Sequence, residues 1–157
     1  YYYFKDLHTL LWELRLDMIE DMITELTSIS IHKEDPIDEI VASLQSYISY
    51  FFQYPNVFRF FYFYKHVQPE GDTSYEKLEH KFNSMWQTSF FRLIQEHIIQ
   101  PEEIEVVAKT IVYALQGMIM LSFSSNGSIL QKDIEIEMKK TVYYILKNKG
   151  TTKEETQ

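Results

Sequence analysis

Residues 1–11 read YYYFKDLHTLL, and the way this stretch divides decides the fold. Asp6 is placed to cap a helix, because its carboxylate can accept from the unpaired amide hydrogens of the next turn. From there Leu7, Leu10, Leu11, Leu14, Met18, Met22, Leu26 and Ile29 recur at three- and four-residue steps, the period of an amphipathic helix. Before the cap, Tyr1, Tyr2, Tyr3 and Phe4 form an aromatic plug with hydroxyls. Such a plug suits the end of one small helical unit packed on the start of another, and its hydroxyls can reach a phosphate backbone. The stretch opens without an initiator methionine. It therefore reads as a joint (1–6), with the expectation that a further unit stands before it and a helical body follows.

Composition supports a helical body. The chain has 157 residues, the length of one domain, and 45% of them are apolar, enough for a sizeable core. Four glycines and four prolines are too few for an all-β chain full of turns. There is no cysteine, which excludes a disulfide framework and a thiolate metal site. No apolar run approaches the roughly 18 residues of a membrane span, the richest, at 57–64, being broken by Arg59. No secretory leader is visible, and the expectation is a cytoplasmic protein without a membrane partner. The formal charge of −8 is wrong for a nucleic-acid binder acting alone, since such affinity comes from neutralising phosphates.

Capping signals divide the rest into helices. The first is expected over 7–31, with Glu13, Asp17, Glu20 and Asp21 as a solvated acidic stripe. Asp35 then caps a second helix with Pro36 at its first position and Asp38 three after the cap. Ile37, Ile40, Val41, Leu44, Ile48 and Phe51 are its buried stripe, and Tyr54-Pro55 ends it. A short aromatic helix over 55–66 is apolar nearly all round, which predicts burial on more than one side. After a loop at 68–72 (QPEGD), Thr73 and Glu76 form a capping box for a helix running to about residue 100. Its inner face is Tyr75, Leu78, Phe82, Met85, Trp86, Phe90, Leu93, Ile94, His97 and Ile98. Pro101 with Glu102 and Glu103 starts the fifth helix, which Asn126-Gly127 stops. Ser128 with Gln131 is a capping box for the sixth, and 150–157 (GTTKEETQ) reads as a tail. The fold class is all-α: an antiparallel bundle of about six helices over 7–149.

This order resembles the C-terminal core of the TetR/AcrR family of bacterial transcriptional regulators. Tyr1, Tyr3 and Phe4 fit the Tyr-x-(Tyr or His)-Phe motif that closes the helix-turn-helix in that family, and Asp6 fits its capping position. A lysine usually follows three residues after the phenylalanine; Leu7 stands there in this chain. Asp-Pro-Ile-Asp-Glu-Ile with Phe-Phe-Gln-Tyr-Pro-Asn is similar to the two ends of the second family helix, and Ala114-Leu115-Gln116-Gly117-Met118 to a Leu-x-Gly pattern. The resemblance implies a homodimeric, ligand-sensing body whose N-terminal DNA reader precedes residue 1. It implies a repressor released from operator DNA by a small lipophilic effector, and backbone contacts from Tyr1, Tyr3 and Lys5. The alternative is a free-standing all-α small-molecule-binding or scaffold protein with no DNA role.

Candidate sites follow. Enzyme motifs are missing: there is no GxGxxG, GxxxxGK[ST], HExxH, GxSxG or cysteine nucleophile, so no enzyme and no cofactor is expected. Glu76 and His80 share a helix face, as a metal pair or as an exposed i,i+4 pair. His97 reads as a core or interface histidine or as a ligand contact. The aromatic side chains of the third and fourth helices read either as core or as a closed apolar pocket with a few orienting polar groups. The pocket candidates are Leu14, Met18, Tyr47, Phe61, Tyr64, Phe82, Trp86, Gln87, Phe90, Tyr113 and Gln116. Few basic residues fall on inner faces, which argues for a flat lipophilic ligand, neutral or cationic. Gly117 costs a helix interior roughly 1 kcal/mol relative to alanine and is read as a point of close helix approach. The implied dimer interface takes Ala108, Ile111, Leu115, Gly117, Ile119, Met138, Val142 and Ile145 from the last two helices.

Overall fold

Aspartate and proline set the frame. In the computed structural model, which describes residues 6–124 and 128–150 with side chains as far as 147, Asp35 accepts from the Ile37 amide at 2.7 Å. Pro36 sits in the first turn that follows, and Asp6 likewise accepts from Thr9 at 2.8 Å. The helices are α1 (Leu7–Ser28), α2 (Pro36–Gln53), α3 (Pro55–Phe63), α4 (Ser74–Gln95), α5 (Ile104–Ser124) and α6 (Gln131–Gly150). A 3-10 turn, Pro101–Glu103, leads into α5, and no strand occurs among the described residues. The architecture is all-helical, as the periodicity predicts. Tyr1, Tyr3, Lys5, Asn126, Gly127 and 151–157 lie outside the described residues.

α2 is the axis. Ile40, Leu44, Ile48 and Phe51 are essentially inaccessible, and α1, α3, α4 and α6 all pack on this one helix. Its most extensive neighbour is α6, which adds Ile134, Met138, Val142 and Leu146 to the core. The Tyr143 hydroxyl donates to Asp38, and Gln131 reaches Ser49 at 3.1 Å. Phe51 is ringed by Tyr47, Tyr50, Phe58 and Phe61 in edge-on geometries at 4.8–6.3 Å, the arrangement aromatic quadrupoles favour.

Several expectations need correcting. The core-facing side of α1 is Trp12, Leu16, Ile19, Met22, Ile23 and Leu26, while Leu7, Leu10, Leu14 and Ile29 are exposed. Both sets have helical spacing, and α1 carries two apolar faces. α3 buries only Phe58 and Phe61, so it lies on the bundle with one side in water. The Thr73–Glu76 capping box does not form; Asp72 accepts from the Ser74 amide at 2.7 Å instead. The same carboxylate accepts from the Trp12 indole at 3.2 Å, which ties the α3–α4 loop to α1. α6 begins at Gln131, where Asp133 reaches back to the Leu130 amide at 2.9 Å. α4 ends at Gln95, and His97 is exposed in a left-handed conformation (φ 57°) rather than facing the core. An 18-residue window within Pro101–Ser124 has a mean hydropathy of 1.6, so this helix is long and apolar enough to cross a membrane although it holds no unbroken apolar run of that length. In the fold one side of it, Val107, Ile111, Leu115 and Ile119, is in the core.

One buried ion pair locks the frame. The Glu39 carboxylate is 6% exposed and meets Arg92 at 2.5 Å. Ser89 donates to it at 3.1 Å and the Lys33 amide at 3.2 Å. Arg92 also donates to the carbonyls of Lys33 and Glu34, both at 2.9 Å. Removing one partner of a buried pair strands the other charge, so Arg92→Ala should destabilise by roughly 3 kcal/mol in urea unfolding. Burial alone would raise the Glu39 pKa, but the hydrogen bonds from Lys33 and Ser89 and the Arg92 charge outweigh it and hold it below its ordinary 4.5. A depressed carboxyl stabilises the fold above its unfolded pKa and loses that contribution as pH falls through the folded one. Stability should therefore decline below about pH 4.5, and Glu39→Gln should flatten that part of the profile.

Candidate ligand cavity

The cavity is assembled by side chains from four helices. Arg15, Ile19 and Met22 come from one side of α1, Tyr47 from α2, and Phe61 and Tyr62 from α3. Tyr75, Leu78, Glu79, Phe82 and Asn83 of α4 close it, around a volume of about 200 Å³. The shape follows from packing: the first half of α4 buries none of its side chains fully, its fully buried residues being Phe90 and Leu93 near the end. Tyr47, Phe82 and Trp86 form a triangle of rings with centroids 6.0–6.2 Å apart.

The polar groups are few and converge. Gln116 Nε2 lies 2.9 Å from both the Tyr47 and Tyr62 hydroxyls, behind the cavity wall. Its Oε1 is buried with no partner, and turning the amide over would only exchange which end is left. Arg15 Nη1 donates to the Phe61 carbonyl at 2.9 Å, one of the carbonyls that the end of α3 leaves unpaired. The guanidinium lies over the rings of Phe61 and Tyr75, 5.5 and 5.6 Å from their centroids. Its Nε is buried without an acceptor, and among the described residues no carboxylate pairs with Arg15. Burial pushes the Tyr47 phenol well above its ordinary pKa, with Tyr62 adding to the effect, and burial raises Tyr62 as well.

Two further concavities flank α4. One of about 370 Å³ runs along the seam to α5 past Phe82, Trp86, Gln87, Phe90, Ala108 and Val112. α4 packs more loosely on α5 than on α1 or α2. The other, of about 250 Å³, lies between the end of α1, α2 and α4, and is lined by Glu39, Met85 and Trp86 among others. The indole Nε1 of Trp86, which lines both concavities, is buried without an acceptor.

The pocket candidates thus divide. Tyr47, Phe61 and Phe82 line the α1–α4 cavity with Gln116 behind them, and Met18 is half-buried against the core. Trp86, Gln87 and Phe90 line the α4–α5 seam, with Phe82 common to both. Leu14, Tyr64 and Tyr113 are corrections: they are 44%, 66% and 68% exposed and belong to neither. Tyr64 sits instead beside an outer groove with Phe60, Phe63 and His66. Among the expected interface residues, Ile111, Leu115, Ile119, Met138 and Val142 are buried inside the subunit and are not surface for a partner. Ala108 and Ile145 are half-buried. Gly117 is exposed, with nothing within 4 Å of where its Cβ would be, so no helix of the same chain approaches it closely. No group of three or more His, Asp or Glu that could hold a metal occurs among the described residues.

Known proteins offer no match. No family model, no curated protein and no solved structure corresponds to this chain.

Sequence reading missed Arg15, Tyr62 and the cavity role of Tyr75. Nothing in Trp12-Glu-Leu-Arg-Leu16 marks Arg15 until Trp12 and Leu16 are known to face the core. One prediction follows from the phenols. Tyr50 is pushed up to about 12 by burial, and Tyr47 and Tyr62 are raised likewise. A phenol held neutral in the fold stabilises it below its unfolded pKa, near 10, and that contribution is lost as pH rises through the folded value. Stability should fall from about pH 10 upward, phenolate absorbance should lag in the folded protein, and Tyr47→Phe should reduce both effects.

Proposed function

We propose that this chain is the ligand-sensing and dimerisation core of a TetR-like transcriptional regulator, with its DNA reader joined before residue 1. The observation that carries the reading is the double character of α1. Its Arg15, Ile19 and Met22 face the cavity, while its first turns present Leu7, Leu10 and Leu14 to solvent. A single rod therefore joins a small-molecule cavity to an uncovered apolar strip at the end where the reader would attach. A small lipophilic effector that prefers one position of α1 shifts the readers of a dimer off their half-sites, by as much free energy as it discriminates between the two positions. The net charge of −8 fits a sensor body that leaves phosphate contacts to another segment.

The dimer face in this proposal is not the one read from apolar periodicity. α5 leaves Val106, Tyr113, Met120 and Leu121 exposed, and α6 leaves Ile136 and Tyr144. Gly117 lies on the same side of α5 as Val106, Tyr113 and Met120, at helical spacing, where it permits a second subunit to approach. Small residues have this effect where helices cross closely, and a self-complementary patch closes as a twofold dimer. The alternative is a free-standing all-α binding or scaffold protein, in which the cavity has the same use and the strip on α1 a different cover.

Gly117→Leu separates the roles. Nothing in the subunit occupies the space, so helicity should be kept, and any fall in melting temperature should depend on protein concentration, as loss of a partner subunit does. In sedimentation the variant should shift from dimer to monomer, and an unchanged dimer would place the interface elsewhere. The reader is tested by the coding sequence upstream of Tyr1, expected to encode a basic three-helix segment with a turn between its second and third helices. In the protein containing it, saturating effector should weaken operator binding; affinity unchanged at saturation removes the mechanism.

A further inference from the structure

We infer that the occupant of the α1–α4 cavity is a small aromatic monocarboxylate whose anionic end meets the Arg15 guanidinium. This rests on the sensor reading above and names the chemical class of its effector. It also reverses the expectation of a neutral or cationic ligand, which was based on the scarcity of basic residues on inner faces.

Size comes first. A dry cavity of about 150 Å³ holds one benzene ring, so about 200 Å³ takes two fused rings or one substituted ring. The walls suit flat apolar matter: Tyr47, Phe61, Tyr75 and Phe82 present rings, and Ile19, Met22 and Leu78 fill between them. The polar chemistry is one-sided. Arg15 is the one cation of the lining, and among the described residues its hydrogen bond runs from Nη1 to the Phe61 carbonyl. Its Nε is buried and lacks an acceptor. A guanidinium carries five donors in a planar fork and no acceptor, and a carboxylate is the planar group that matches two of them at once. The Tyr47 and Tyr62 hydroxyls are taken up with Gln116 behind the wall, so the guanidinium is the charged donor that the cavity offers. Against these donors an amine would bring a second cation beside Arg15 with nothing to neutralise it. Glu79, the one carboxylate of the lining, is on the exposed rim and disfavours a second negative charge on the ligand.

The test is calorimetric titration of the purified chain at neutral pH with 2-naphthoate, 2-naphthamide and 2-naphthylmethylamine. These share the ring system and differ in the head group. Naphthoate should bind at least about ten-fold more tightly than the amide, as a charge-assisted bidentate contact exceeds a neutral one, and the amine should bind most weakly. Arg15→Met should remove that preference by weakening naphthoate while leaving the amide within about two-fold. Arg15→Lys keeps the charge without the fork, and should cut naphthoate affinity several-fold even if the Met variant, having lost the bond to Phe61, fails to fold. Amide or amine binding as tightly as naphthoate, or naphthoate binding insensitive to Arg15, overturns the carboxylate assignment and leaves the cavity as a neutral-ligand site. No binding by any of the three overturns the assignment and the ligand-sensing reading together.

Discussion

A carboxylate of α2 buried between the end of α4 and the α1–α2 connection governs the arrangement of the bundle. Isolated, Glu39 would cost several kcal/mol in lost hydration. It is held because the chain brings it a guanidinium, a serine hydroxyl and a backbone amide, with His32 Nδ1 at 3.3 Å beside them. Those donors belong to different places: Ser89 and Arg92 to the last turns of α4, and Lys33 to the α1–α2 connection. Satisfying one group therefore fixes where α4 ends against where α2 begins. Arg92 completes the knot by donating to two carbonyls of the connection, which leaves that loop little independent choice of path.

The consequence is an unevenly held helix. Near its end α4 is locked by the ion pair and by Phe90 and Leu93 in the core. Toward its start it leans on half-buried rings and on Asp72, which caps it and also receives the Trp12 indole. The Lys81–Glu20 pair along the way is 3.7 Å apart and exposed on both sides, so it adds little. Close-packed interiors leave few voids larger than a water molecule. The cavity is found where that rule is relaxed, between the loosely seated half of α4 and the side of α1 that carries Arg15.

Most of the helical frame was legible in the sequence, because caps and prolines act locally. Asp6, Asp35, Pro36, Pro55 and Pro101 mark helix starts in the fold as they do in the chain. Where two polar residues compete for one cap the sequence does not decide: Asp72 rather than Thr73 caps α4, because it is also held by Trp12. The facing of α1 was misread for a similar reason. Two apolar stripes of equal period run along it, and only the position of α4 and α2 selects Trp12, Leu16, Ile19 and Ile23 for the core. On α5 and α6 the misreading runs the other way. The most regular apolar positions, Ile111, Leu115, Ile119, Met138 and Val142, are consumed by the subunit's own core, and exposed apolar residues such as Tyr113 and Tyr144 are left for any partner. Of the cavity, the aromatic residues were visible as a cluster, but Arg15 was not. A lone arginine on a helix carries no mark of whether it faces water or a ring until the neighbouring helices are placed.

The two faces of α1 also set what motion at the cavity can do. Ile23 is 1% exposed and anchors the far end of the helix, whereas Leu7 is 56% exposed. At 1.5 Å of rise per residue, Arg15 lies about 12 Å from Ile23 and Leu7 about 24 Å from it. A tilt about the anchored end therefore roughly doubles between the cavity and the open leucine strip. Under the proposed mechanism that ratio matters more than the size of the cavity. A ligand that moves Arg15 by a fraction of its own width displaces whatever covers Leu7 and Leu10 by twice as much, and the helix needs no hinge of its own to do so.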